Sequence, residues 1–92
     1  MKSANAKQTL VCAYVNGRGL DFALGKTLMA AWKNLFRVGP DQELGNPTDP
    51  DRVSWHQTTE IPETWTVEFW SGGHGLGQWV RAKNELGEVV DL

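Results

Sequence analysis

The first apolar run of the chain is typical of a strand that is covered on both faces. Residues 9–15, TLVCAYV, are apolar or β-branched at both alternating sets of positions. The next pair, Asn16-Gly17, is a strong hairpin signal, so residues 20–24 are candidates for a short return strand. The helical spacing of leucines over the same residues favours a helix instead.

One amphipathic helix is predicted to follow the turn. Asp21 is its predicted N-cap, because a carboxylate accepts from the free N–H groups of a first helical turn. Gly25 disfavours those turns by about 1 kcal/mol, so a start at Thr27 is the alternative. Residues 38–40, Val-Gly-Pro, predict the end. The apolar stripe consists of Leu20, Leu24, Leu28, Ala31 and Leu35.

The rest of the chain alternates between loop signals and strand patterns. Residues 1–8 are polar and predicted to be disordered, and residues 39–52, with three prolines and four acids, are predicted to form a long loop. Four strands are predicted at residues 53–61, 65–70, 78–84 and 88–92.

The predicted architecture is a single α+β domain over residues 1–92. One amphipathic helix packs on one face of a four- to five-stranded, mostly antiparallel sheet. The sheet face expected under the helix carries Trp65, Val67, Phe69, Val80, Ala82, Val90 and Leu92.

The glycine-rich segment between two strands also predicts their register. Placing Trp70 opposite Trp79 puts apolar side chains on one face and charged ones on the other. Glu68 then faces Arg81, and Arg81 faces Asp91 in the last hairpin, which makes a ladder of opposite charges. A slip of one residue would turn these charges into the core.

Composition and charge exclude several classes of function. Nine cationic and eleven acidic side chains give a net charge of −2, which does not suit binding to duplex nucleic acid. One cysteine excludes an internal disulfide, and no metal site or cofactor is predicted. The longest apolar run, residues 10–15, is far shorter than the roughly 20 residues of a membrane span, so a cytoplasmic protein is expected.

Two motifs suggest nucleotide chemistry but lack its context. Gly25-Lys26-Thr27 has no glycine at the position that a P-loop requires. Residues 71–77, SGGHGLG, precede a predicted strand, whereas a dinucleotide fingerprint precedes a helix. The second segment is therefore interpreted as a hairpin loop with His74 at its tip.

The predicted function is binding through an aromatic and charged sheet face. Its candidate residues are Trp70, Trp79, Arg81, Glu68, Lys83, His56 and His74. Exposed tryptophans need a cover, which predicts a homodimer or another protein as the partner. The alternative is a small-molecule binder or modest enzyme, with a pocket between residues 39–52 and 71–77 and His74 as its acid or base. A third hypothesis, stacking of single-stranded nucleic acid on the tryptophans, is opposed by the flanking acids.

Overall fold

Two antiparallel three-stranded sheets and one helix make up the described part of the protein. The computed structural model describes residues 6–37 and 49–92. In chain order the elements are β1 (Lys7–Val15), β2 (Gly19–Gly25), α1 (Leu28–Phe36), β3 (Val53–Pro62), β4 (Thr66–Ser71), β5 (Gln78–Lys83) and β6 (Val89–Val90). Strands β2-β1-β3 form sheet A, and strands β4-β5-β6 form sheet B.

Strand β1 is the centre of sheet A and is buried on both faces, as its sequence predicts. It pairs with β2 over seven positions and with β3 over nine. One face packs against α1, in a cluster built from Val11, Ala13, Val15, Ala23, Ala31, Trp32, Leu35 and Val53. The alternation of β1 therefore assigns its odd-numbered side chains to the helix layer.

The opposite face of sheet A packs against sheet B. Its buried residues are Leu10, Cys12 and Ile61, and Trp65, Val67 and Val80 from the second half of the chain pack against them. The α+β class is confirmed. The prediction of a single four- to five-stranded sheet is wrong, because the strands form two sheets. The prediction that the helix covers the apolar face with Val67 and Val80 is also wrong, because sheet A covers these two side chains.

The segment after the first turn is a strand, so the predicted helix start at Asp21 is wrong. Residues 19–25 pair with β1 along one edge, which satisfies the backbone groups on that edge without a helix. Asp21 accepts from the N–H of Phe22 at 2.8 Å and lies 3.7 Å from Arg18. The alternative start is confirmed, because the Thr27 hydroxyl accepts from the N–H of Ala30 at 3.1 Å.

The helix ends at a left-handed residue rather than at a glycine. Arg37 has φ 57° and ψ 40°, and its N–H donates to the carbonyls of Lys33 and Asn34. The predicted Gly39 cap and residues 39–48 of the predicted loop lie outside the described residues, whereas residues 49–52 form a turn. At the other end, Lys7 and Gln8 of the supposedly disordered segment 1–8 belong to β1.

Gly25 is required by the close approach of β2 to the helix. A Cβ at this position would lie 2.3 Å from the nitrogen of Ala31 and 2.7 Å from the carbonyl carbon of Ala30. Because these are backbone atoms of α1, the helix must shift to admit a methyl group.

We therefore expect Gly25→Ala to destabilise the fold by about 3 kcal/mol, the upper end of the range for overpacking. Lys26→Ala is the control, since Lys26 is exposed and its truncation should change stability by less than about 0.5 kcal/mol. Urea denaturation measures both values. Equal midpoints for the two variants would contradict the close approach.

Cys12 is predicted to be inert, and the structure supplies the reason. Its side chain is 6% exposed between the two sheets, and burial raises the pKa of the thiol to about 11. At neutral pH only about one thiol in ten thousand is then ionised.

A bulky thiol reagent should label the native protein at least about a hundredfold more slowly than the unfolded chain in guanidinium. Rapid native labelling would contradict this burial.

Candidate functional site

Sheet B has an outer face that points away from sheet A. Because side chains alternate along a strand, burial of Val67 and Val80 places the opposite set outward. This outer face carries Thr66, Glu68 and Trp70 of β4 and Trp79, Arg81 and Lys83 of β5. The predicted register of these two strands is confirmed at every pair, including Trp70 opposite Trp79 and Glu68 opposite Arg81.

The two tryptophans of the outer face form a stacked pair. Their ring centroids are 6.0 Å apart, and the ring planes differ by 13°. Trp70 remains 41% exposed and Trp79 36% exposed. The guanidinium carbon of Arg81 lies 4.3 Å from the centre of the Trp79 ring, which extends the stack by a cation–π contact.

The charged part of the outer face is organised around Glu68. Its carboxylate accepts from Arg81 Nε at 2.9 Å and lies 3.0 Å from Lys83 Nζ. Hydrogen bonds from Lys83 and Arg81 hold the pKa of Glu68 below its ordinary value. The predicted third member of the ladder is absent: among the described residues, Asp91 makes no ion pair with Arg81, and β6 ends at Val90. The third charged side chain of the ladder is Lys83, which pairs with Glu68, instead of Asp91.

His56, predicted on the same sheet face as Trp70, lies in another layer. It pairs with Ala13 in sheet A and therefore lies on the helix side. Its ring packs edge-on against Trp32 of α1, with centroids 5.6 Å apart. The prediction failed because the sequence assigned β3 and β4 to one sheet, whereas they belong to two.

His74 lies in the loop between β4 and β5, as predicted, and its backbone is left-handed. It has φ 47°, and its neighbours Gly73 and Gly75 have φ 62° and 80°. The turn is closed by hydrogen bonds from Leu76 N–H to the Gly73 carbonyl and from Gly72 N–H to the Gly77 carbonyl. Glycine takes such angles freely, whereas a side chain such as that of His74 is strained there.

The loop forms one wall of a cleft, which we call the glycine-loop cleft. Its volume is 390 Å³, and it is lined by Tyr14, Ser71, Gly73, His74, Gly75, Gly77 and Gln78. The predicted pocket has residues 39–52 as its second wall, and residues 39–48 of that wall lie outside the described residues; among the described residues, Tyr14 of β1 lines the cleft together with the loop. Sequence reasoning missed Tyr14 and Gln78, because their proximity depends on how sheet B is placed on sheet A.

Gln78 fixes the edge of this cleft to sheet A. Its side-chain oxygen accepts from the N–H of Leu20 at 3.2 Å, and its amide nitrogen lies 3.5 Å from Ser71 Oγ. Gln78 also packs on Gly19, where an added Cβ would be 3.4 Å from the amide nitrogen. The amide is therefore held in one orientation.

Other chemistry finds little support in residues 6–37 and 49–92. No group of three or more histidine, cysteine, aspartate or glutamate side chains is placed to hold a metal ion there. The helix in this part of the chain has nine residues, too few to cross a membrane.

Comparison with known proteins found no relative of this chain. No family model, no curated protein and no solved structure matches the chain. The outer face of sheet B and the glycine-loop cleft are therefore the two features of the described residues that bear on function.

Proposed function

We propose that this chain is a small non-enzymatic interaction protein that binds a second copy of itself through the outer face of sheet B. The observation that carries the proposal is the stacked Trp70–Trp79 pair, two-fifths exposed beside Arg81. Helix α1 packs on sheet A, and the Trp70 ring lies against Gly72 of the glycine loop, yet both rings remain exposed. Tryptophan and arginine are the residues most enriched at the centres of interfaces.

The exposed area of the rings is large enough to matter for association. A tryptophan side chain buries roughly 150–250 Å², so the exposed two-fifths corresponds to about 60–100 Å² per ring. At about 25 cal/mol per Å² this is roughly 2 kcal/mol per ring, and a two-fold contact contains four rings. The total is comparable to the entropic cost of association, which favours a reversible dimer over a permanent one.

The charges beside the tryptophans are self-complementary. Glu68 supplies a carboxylate, while Arg81 and Lys83 supply cations on the same face. Only Nε of Arg81 is needed for the contact with Glu68, and a guanidinium has four further N–H donors. In a two-fold contact, Arg81 of one copy can therefore reach Glu68 of the other.

The same charges weigh against single-stranded nucleic acid as the occupant. Stacking platforms for bases stand beside cations that neutralise phosphates. Here the Glu68 carboxylate lies between the two neighbouring cations, Arg81 and Lys83, and repels a phosphate, and the chain as a whole has a net charge of −2.

We predict that the wild-type protein forms a dimer at high concentration and that Trp70→Thr/Trp79→Thr is monomeric. Threonine retains the strand preference and removes the aromatic area. Sedimentation equilibrium over a hundredfold range of concentration measures the mass against the monomer's 10.2 kDa. Circular dichroism verifies that the variant is folded.

The matched control for that experiment is Trp55→Thr. Trp55 is 49% exposed but belongs to sheet A, so its loss should leave the dimer intact. A wild type that stays monomeric throughout would overturn the proposal. Unchanged dimerisation of the double variant would overturn it as well.

The lowered pKa of Glu68 predicts how the pH affects this face. A carboxyl group whose pKa is lower in the folded state contributes stability above its unfolded pKa, and this contribution is lost as the pH falls through the folded pKa. Wild type should therefore be more stable than Glu68→Gln at neutral pH, with the difference disappearing in acid. Denaturation midpoints of both proteins across pH measure this. A constant difference would contradict the ion pairs with Lys83 and Arg81.

A further inference from the structure

We infer that the glycine-loop cleft is a second binding site, separate from the outer face of sheet B, and that its ligand is a neutral saccharide. The cleft lies between Tyr14 of β1 and the loop that carries His74. Its volume of 390 Å³ is within the range of small-molecule sites, which begins at about 300 Å³. That volume accommodates one or two sugar rings.

The conformation of His74 is the first argument. Of the three consecutive left-handed residues at the loop tip, Gly73 and Gly75 adopt the conformation without strain, whereas His74 carries a side chain there. A glycine at position 74 would serve the turn equally well. Strained residues that the turn does not require are concentrated at ligand sites, and His74 lines the cleft.

The second argument is the set of uncharged polar groups that lines the cleft. Gln78 is anchored by the N–H of Leu20, and its amide nitrogen approaches Ser71. A hydroxyl group both donates and accepts, so Ser71 and Tyr14 can bind either end of a sugar hydroxyl. The imidazole of His74 adds another donor or acceptor. A ligand rich in hydroxyl groups matches this set.

The lack of lysine, arginine, aspartate and glutamate among the described lining residues narrows the class of ligand that the cleft can bind. In the described part of the chain, the cleft is lined without lysine, arginine, aspartate or glutamate, so nothing there neutralises a phosphate or a carboxylate. The ring of Tyr14 is 48% exposed, and Trp55 lies directly opposite it in the register, on the same face and 49% exposed. Two exposed rings beside uncharged hydrogen-bonding groups suit the apolar face and hydroxyl edge of a sugar.

The test is a titration followed by NMR of the ¹⁵N-labelled protein. Cellotriose, maltotriose and triacetylchitotriose are added in three separate titrations, and adenosine monophosphate is added in a fourth as a charged ligand for comparison. At least one oligosaccharide should shift the amide resonances of residues 72–78 in a saturable manner, and the nucleotide should not. Absence of shifts with all three oligosaccharides overturns the inference, and so does stronger binding of the nucleotide.

Variants separate the role of the side chain from that of the loop. His74→Gly keeps the left-handed turn and relieves its strain, so its denaturation midpoint should be at or above the wild-type value while affinity falls roughly tenfold, the effect of one lost hydrogen bond. Lys83→Ala should retain wild-type affinity, because Lys83 lies on the outer face of sheet B at the end away from the glycine loop. Unchanged affinity of His74→Gly, or lost affinity of Lys83→Ala, overturns the site. Neither result depends on whether the protein dimerises.

Discussion

Burial of β1 on both faces decides where every other layer of this protein lies. The strand is paired along both edges, by β2 and β3, so its backbone groups are satisfied within sheet A. Its two apolar faces each need a cover. Helix α1 supplies one cover, and the missing side chain of Gly25 lets the helix approach β2 closely. Sheet B supplies the other.

The position of both candidate sites follows from that arrangement. Since sheet B uses Val67 and Val80 to cover β1, its outer face carries Trp70 and Trp79 without a further layer in the described structure. Within residues 6–37 and 49–92, the exposed stack is a consequence of a three-layer arrangement in which sheet B is an outer layer. The glycine-loop cleft lies where the two sheets meet near the glycine loop. Gln78 of sheet B accepts a hydrogen bond from Leu20 of sheet A there, and Tyr14 lines the cleft.

The two sites differ in the chemistry that they offer. The outer face combines aromatic area with ionised side chains, and Glu68 is held in its charged form by Lys83 and Arg81. The described lining of the cleft offers hydroxyl, amide and imidazole groups and contains no lysine, arginine, aspartate or glutamate. A broad charged surface suits a macromolecule, whereas a small neutral cleft suits a small molecule, so the two proposals are independent.

The sequence by itself determined the local relations. Alternation placed Trp70 opposite Trp79 and Glu68 opposite Arg81, because a register shift of one residue would have buried the charges. It also marked β1 as covered on both faces. Pattern shows which face of a strand is apolar, but it does not show which element covers that face.

Only the tertiary structure decided the division into two sheets. The leucine spacing from residue 20 fits a helix and a strand alike, and pairing with β1 selected the strand, which made Asp21 a strand residue and not a cap. Separate sheets then placed His56 against Trp32, and Gln78 near Tyr14. These contacts join residues far apart in the chain, and they depend on how whole layers pack, which local periodicity does not encode.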